Sequence, residues 1–306
     1  MSEGVGRFVF ELVSQSTFMN PVVATAPPLA VSVSIVTYRP DTALLERTFL
    51  SLRTAFDELS RRVGTDARLQ VVVVDNGDDL PDGVLHTLSG SSSISVSVLS
   101  GHGNVGYGAG HNLAIEKIDS DVHLVLNPDV KLKPDTLVVA VEFFRSHERY
   151  GLIAPRVYND HGGIEHLCRR YPSVLTLFVR GFLPRALRGA FQRRLAVYEM
   201  RDKIDAEGSL INASDDVLEP PIISGCFMLF RTSTLKAVKG FDPSYFLYFE
   251  DYDLSLRTAK VASIAYVPAV EIVHSGGGAS RKGGAHIRMF MASAFRFFQT
   301  FGWKWI

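Results

Sequence analysis

A chain of 306 residues can bury a sizeable core, and its 32 Lys and Arg against 32 Asp and Glu leave no global field to draw in nucleic acid. Two cysteines, Cys168 and Cys226, make neither a disulfide framework nor a C-x-x-C pair, which favours a reducing cytosol and free, buried thiols. Residues 1 to 30 read as a leader without signal-peptide character, because Glu3 and Glu11 interrupt its apolar run, and no segment reaches the ~20 apolar residues of a spanning helix.

Beyond Pro27-Pro28, Val31, Val33 and Ile35 alternate with Ser32 and Ser34 until Thr37-Tyr38-Arg39-Pro40 breaks the run. This is a first strand and its loop. Leu45, Phe49, Leu52, Phe56 and Leu59 recur at helical spacing behind Asp41 as cap, predicting an amphipathic helix over a sheet face. The valine-rich run from Leu69 to Val74 suits a strand buried on both faces and ends in Asp75-Asn76-Gly77. A third strand, Ile94 to Leu99, leads into a glycine loop from Gly101 to Asn112, where a helix should open. Val122 to Leu126 makes a fourth strand, stopped by Asn127-Pro128-Asp129, and Pro134 starts a helix to about His147. Strand alternating with helix predicts an α/β unit on a mostly parallel central sheet. In such sheets ligands bind beyond the carboxyl ends of the strands, so Thr37-Tyr38, Asp75-Asn76, the glycine loop and Asn127-Pro128-Asp129 should share one rim.

The pattern changes after Gly151 to Tyr158. Residues 169 to 203 carry nine Arg or Lys against two acids, whereas 204 to 219 carry five acids and no base. Within 172 to 200 the mixture of Leu, Phe and Arg predicts one or two basic amphipathic helices, either a solvated face on a packed helix or a surface for anionic lipid or a phosphorylated acceptor. Ile222 to Arg231 reads as a strand around Ser224-Gly225-Cys226, and Ser263 to His274 as two short strands. A helix from about His286 then leads to Trp303-Lys304-Trp305-Ile306. The stretch from Arg281 onward carries five bases and no acid, and its aromatics suit either a core or a membrane interface.

Chemistry concentrates between Phe246 and Arg257, which reads as an apolar strand end delivering Glu250, Asp251 and Asp253 onto the first turn of a helix. Carboxylates walled by aromatics are partly desolvated, which raises their pKa toward that of a working base. Helix capping and an Asp253–Arg257 pair are the plainer alternative. The G-x-G-x-x-G at Gly101, Gly103 and Gly106 follows the third strand, where a dinucleotide fingerprint does not belong. It is either a close approach for phosphate at a helix N-terminus or an ordinary glycine turn. Asp129 suits a hard divalent ion, which His274 could complete. Asp75-Asn76 fits an Asx turn or the edge of a nucleobase.

Taken in order, these stretches resemble the inverting family-2 glycosyltransferases of the GT-A fold, especially their bacterial rhamnosyltransferase branch, over about 31 to 305. The markers are Val-Ser-Ile-Val-Thr-Tyr (33 to 38), Val-Val-Asp-Asn (73 to 76), the run from Asn104 to Asn112, Leu-Asn-Pro-Asp (126 to 129), Ser-Gly-Cys-Phe-Met-Leu-Phe-Arg (224 to 231), Gly-Phe-Asp (240 to 242), Tyr-Phe-Glu-Asp-Tyr-Asp-Leu-Ser-Leu-Arg (248 to 257) and Val-His-Ser-Gly-Gly (273 to 277). The resemblance implies a nucleotide-sugar half over 31 to 150 and an acceptor half over 151 to 306, with an insertion at about 172 to 216. It implies that Thr37, Tyr38, Asp75, Asn76, Asn104, Gly106, Gly108, Asn112 and Asn127 hold the donor nucleotide, and that Gly225, Cys226, Glu250 and Asp253 meet the acceptor. Asp251 becomes the catalytic base. Asp129 and His274 become ligands of Mg²⁺ or Mn²⁺, although Asn127 stands where the family's D-x-D motif has its first Asp. The expected donor is dTDP-rhamnose and the expected acceptor a saccharide or lipid-linked saccharide, met in the cytoplasm at an anionic inner membrane face. A transferase for another sugar nucleotide (a UDP-hexose), a nucleotidyltransferase and a non-catalytic sugar-nucleotide scaffold are the rival readings.

Overall fold

The computed structural model describes residues 28–63, 67–212, 217–276 and 283–306. Most of the expected leader, the acids Asp215 and Asp216, and the stretch from Gly277 to Lys282 lie outside the described residues. In chain order the elements are β1 (Ala30–Thr37), α1 (Thr42–Val63), β2 (Arg68–Asp75), β3 (Ile94–Leu99), α2 (Tyr107–Ile115), β4 (Val122–Leu126), β5 (Val130–Leu132), α3 (Thr136–Ser146) and β6 (Tyr150–Asn159). They continue with β7 (Cys168–Arg169), α4 (Val174–Phe182), α5 (Gln192–Tyr198), β8 (Ile222–Ile223), β9 (Phe227–Arg231), α6 (Thr232–Ala237), α7 (Glu250–Thr258), β10 (Ser263–His274) and α8 (Gly284–Phe301).

Eight strands form one sheet in the order β3-β2-β1-β4-β9-β6-β10-β5, and β7 pairs with β8 apart from it. The strands from β3 to β4 are parallel, as are β6 and β10, whereas β9 and β5 run against their neighbours. The carboxyl ends of β1, β2, β4 and β10 therefore open on one side. The expected rim exists because the valine runs of β1 and β2, which are buried on both faces, register residue for residue from Ala30 with Arg68 to Thr37 with Asp75.

Three local expectations need correction. Ser224-Gly225-Cys226 interrupts the expected strand and leaves β8 and β9 on different sheets. Ser263 to His274 is one strand whose register slips between Val267 and Glu271. The approach to α7 is a turn rather than a strand end, with Tyr248 and Phe249 both at positive φ (72° and 66°). Two successive bulky residues in the left-handed region cost of order 1–3 kcal/mol each, so their surroundings must hold them there. α8 does so: Tyr248 bonds His286 (2.9 Å) and Phe249 packs on Phe290 and Phe297.

The serines of β1 are also buried. Ser32 and Ser34 bond both ring nitrogens of His123, and Ser34 bonds Nδ1 of His111. Burial lowers the pKa of both histidines, and the charge of His123 lowers that of His111 further. Both act as neutral polar links across the sheet.

Candidate active site

Asp75 and Asn76 end β2 with their side chains already committed. Asp75 accepts the backbone N–H groups of Gly77 (3.1 Å) and Leu80 (2.8 Å), so the Asx-turn alternative describes its carboxylate. Thr37 is fully buried and only 3.4 Å from Asp75 at a long, weak contact. Asn76 donates to the carbonyl of Gly106 (3.0 Å) and meets His102 (3.0 Å), tying β2 to the glycine loop. Asn104 caps that loop by accepting from the N–H of Gly106 (3.1 Å). Among these candidates Tyr38 and Asn104 are exposed, and Tyr38 stands at the rim where a flat ring could meet it.

Gly106 and Gly108 of the loop fit protein to protein. At Gly106 (φ 92°) a Cβ would lie 2.3 Å from the carbonyl oxygen of Phe246, which accepts the N–H of Tyr107 (3.0 Å). At Gly108 it would press on Phe241. Asn112 spends its amide on the backbone of Phe241, donating to the carbonyl (2.8 Å) and accepting the N–H (2.9 Å). Gly108 and Asn112, expected to hold donor nucleotide, instead clip the glycine loop to the segment that leads into α7.

That clip brings the carboxylates to the rim. Asp251 accepts the N–H of Gly225 through Oδ2 (2.9 Å) and that of Tyr252 through Oδ1 (2.9 Å), and the carbonyl of Gly225 accepts from the Tyr107 hydroxyl (2.8 Å). Tyr107 also meets Oδ1 of Asn127 (2.8 Å), whose own N–H donates to the carbonyl of Cys226 (2.9 Å). Its phenol has one hydrogen for two acceptors, so turning the Asn127 amide over, with Nδ2 donating to the phenol oxygen, satisfies all three groups. Burial raises the Asp251 pKa against the lowering pull of the Gly225 and Tyr252 N–H bonds. Burial, then the Asp251 charge, raise Glu250 well above its ordinary value. Asp251 is half-buried while Glu250 is buried, which leaves Asp251 as the carboxylate a hydroxyl can reach.

Four expected acceptor contacts are put to other uses. Gly225 and Cys226 hold Asp251 and Asn127 through backbone groups, and the Cys226 thiol is buried, its pKa raised first by that burial. Glu250 lies under Asp251. Asp253 is buried and paired to Arg257 (2.5 Å), which also donates to the carbonyls of Val238 and Gly240, so this carboxylate braces the start of α7.

At the far end of the rim, Nε2 of His274 lies 3.5 Å from Oδ1 of Asp129, while its Nδ1 meets Glu165 at 2.9 Å. Oδ1 of Asp129 is buried without a hydrogen-bond partner, and a Cβ on Gly276 would sit 2.0 Å from Oδ2 and 3.0 Å from His274 Nε2. An orphaned oxygen, an imidazole and a gap kept clear by glycine fit a divalent ion held between the two side chains. Among the described residues no group of three or more His, Cys, Asp or Glu side chains could hold an ion alone, so the other coordination positions would fall to ligand oxygens. Burial alone would lower the His274 pKa, but the hydrogen bonds and charges of Asp129 and Glu165 outweigh it and lift it to about 9.

Nothing local in the sequence marks Glu165, whereas Tyr107 and Gly276 lie inside the marker runs from Asn104 to Asn112 and from Val273 to Gly277, which give them no role of their own. Glu165 follows a turn rather than a motif, and its partner is 109 residues away. A carboxylate behind a ligating histidine fixes ring orientation and raises ligand basicity. Glu165→Gln is therefore expected to weaken Mn²⁺ binding about 10- to 100-fold, read by calorimetry without donor. Unchanged affinity would leave Glu165 with no part in the site.

The sequence profile described as Glycosyl transferase family 2 matches residues 32–196, more than half of the chain. The Escherichia coli K12 protein named rhamnosyltransferase WbbL is 30% identical over 220 residues, covering 68% of this chain and 74% of its own. An N-acetylglucosaminyl-diphospho-decaprenol L-rhamnosyltransferase of Mycobacterium tuberculosis is 28% identical over 258 residues, covering 79% and 75%. Among solved structures, S. aureus TarS superposes with a TM-score of 0.54 at 15% identity, over 83% of this chain and 38% of that one. The mannosyltransferase PcManGT from Pyrobaculum calidifontis, in complex with GDP-Man and Mn²⁺, gives 0.52 at 18% identity, over 89% and 67%. These superpositions agree with the GT-A fold that the motifs implied. With the rim motifs in one structure and the family profile over most of the sheet, the chain belongs to glycosyl transferase family 2, the sugar-transferring enzymes it resembled in sequence.

Proposed function

We propose that this enzyme transfers L-rhamnose from dTDP-L-rhamnose, with inversion, to a hydroxyl of a saccharide or lipid-linked saccharide in cell-surface polysaccharide synthesis of the O-antigen type. The observation that carries the chemistry is the half-buried Asp251 carboxylate, held by the Gly225 N–H on the same rim as the Asp129 and His274 pair. The choice of rhamnose rests on the names of the two relatives.

Asp251 takes the proton of the acceptor hydroxyl as that oxygen bonds to the anomeric carbon. The bond from that carbon to the nucleotide diphosphate breaks, and its electron pair leaves with the diphosphate. Asp129 and His274 would hold Mg²⁺ or Mn²⁺, which when bound would supply positive charge to offset the negative charge of the leaving group. Tyr107 and Gly225 keep the Asp251 carboxylate in place, and Glu165 keeps Nε2 of His274 turned toward Asp129. We assign the nucleoside to Tyr38 and to the backbone around Thr37, Asp75, Asn76 and Asn104, with Gly106 and Asn127 shaping the floor beneath the diphosphate. Residues 31 to 150 then serve the donor, and 151 to 306 the acceptor.

A thermal-shift screen of dTDP-rhamnose, UDP-glucose, UDP-galactose, UDP-N-acetylglucosamine and GDP-mannose, each with and without Mn²⁺, tests the donor. A ligand at 100 times its Kd adds about 2.7 kcal/mol of stability. We expect selective, metal-assisted stabilisation by dTDP-rhamnose. Selective stabilisation by another sugar nucleotide would reassign the donor, and no response to any of them would overturn the donor site. For a lipid-linked acceptor, the working place is the cytoplasmic face of the plasma membrane, with the enzyme bound peripherally.

A further inference from the structure

We propose that α4, the arginine-rich turn after it, and α8 with its C-terminal tail form one docking face for an anionic phospholipid bilayer. Two segments more than 100 residues apart in sequence are joined there. The N–H groups of Val174 and Leu175, at the start of α4, donate to the carbonyls of Lys304 (2.8 Å) and Trp305 (3.1 Å), and Phe182 packs on Phe290 of α8. Their outer surface is unusually apolar. Among the described residues, ten of the sixteen exposed large hydrophobic side chains lie between 174 and 198 or between 284 and 306. Ile287, Met291 and Phe295 recur every four residues as an exposed stripe along α8, and Phe295 continues into the stacked Trp303 and Trp305.

Charge selects the occupant. Residues 174 to 198 contain five arginines, of which Arg180 is paired with Glu199 (3.8 Å) just beyond, and residues 284 to 306 contain three bases, with no acid inside either segment. A second copy of the chain on this face would oppose like charges, whereas an anionic lipid surface complements them and takes up the apolar stripe and the tryptophans at its interface. Among the described residues no helix is long and apolar enough to cross a membrane, so the contact is with the surface.

The face also lies next to the chemistry. The α8 helix that carries the stripe holds Tyr248 and Phe249 in the strained turn before Glu250 and Asp251. A lipid surface on α8 would set the saccharide of a lipid-linked acceptor beside the base. This purpose rests on the acceptor class proposed above, whereas the binding itself does not.

Co-sedimentation of the full chain with vesicles of phosphatidylcholine alone, or of phosphatidylcholine with phosphatidylglycerol, tests the face at low and high salt. We expect binding to the anionic vesicles that weakens as salt rises. Arg288→Glu with Arg296→Glu, and separately Phe295→Ser with Trp305→Ser, should each reduce that binding by about tenfold or more. All four residues are exposed, and unchanged melting curves would show that the variants fold. Their turnover on a water-soluble acceptor should equal wild type. Equal binding to neutral vesicles, no binding to either, full binding by both double variants, or a stable dimer in solution that buries these residues would each overturn the proposal. Loss of donor response with vesicle binding intact would instead strike only the sugar-transfer reading.

Discussion

Replacing Asp251 with Asn is expected to lower turnover by roughly 10²-fold or more, with the fold and the donor-induced thermal shift retained. Asparagine keeps an oxygen to accept the Gly225 N–H, now 2.9 Å from Oδ2, and loses the ability to take a proton. Glu250→Gln is the matching control. Burial and the neighbouring Asp251 charge favour the protonated form of Glu250, which glutamine copies in shape, so its turnover should stay within a few-fold of wild type. If Asn at 251 turned over near the wild-type rate, or Gln at 250 lost as much as Asn at 251, the base would not be Asp251.

The raised pKa values give two pH signatures. A base must be ionised, so the wild-type rate should fall as pH drops through the folded-state pKa of Asp251, above the ordinary 3.8. Stability runs the other way. A carboxyl whose folded pKa lies above its unfolded value contributes most below the unfolded value, and that contribution is lost as pH rises through the folded pKa. Glu250→Gln, having no proton to lose, should therefore gain melting temperature relative to wild type as pH rises above 4.5, with the difference fading in acid. A constant difference at every pH would mean that Glu250 does not titrate in this range.

Elements with long, uniform patterns were legible in the sequence. β1, β2 and α1 declare themselves by apolar runs or helical spacing, and three of the rim clusters follow from where runs stop. β5 and β7 span three and two residues, too few for any period to show. The reversed direction of β9 depends on pairing with β4 and β6, more than 70 residues upstream, which no local pattern encodes. Side-chain roles were less legible than positions. Asn112 and Gly108 stand in a loop that looks built for a ligand, yet their atoms meet Phe241 from the other half of the chain. Asp253 and Asp251 look alike in sequence, but two residues of helix put them on opposite faces, so that the first pairs with Arg257 while the second faces Gly225. The same holds for the basic stretches, whose shared face appears only when the tail bonds to the start of α4.

Replacing Asp129 with Ala is expected to weaken Mn²⁺ binding by more than about 100-fold, the upper end of what losing an outer partner of a ligand costs. Metal-dependent stabilisation by the donor should disappear with it. Gly276→Ala makes the sharper test, because it leaves both ligands in the chain. Its Cβ would stand 2.0 Å from Oδ2 of Asp129 and 3.0 Å from Nε2 of His274, so the carboxylate must swing out of the gap it shares with the imidazole. Gly276 is only half-buried, at the end of the described segment after β10, so this substitution should leave melting without metal unchanged while the response to Mn²⁺ falls toward that of Asp129→Ala. If Asp129→Ala kept its metal response, the ion would not be held here. If Asp129→Ala lost it and Gly276→Ala kept it, Asp129 would bind the ion from a side that does not need the space beside Gly276, and His274, which lines that space, would leave the ligand set.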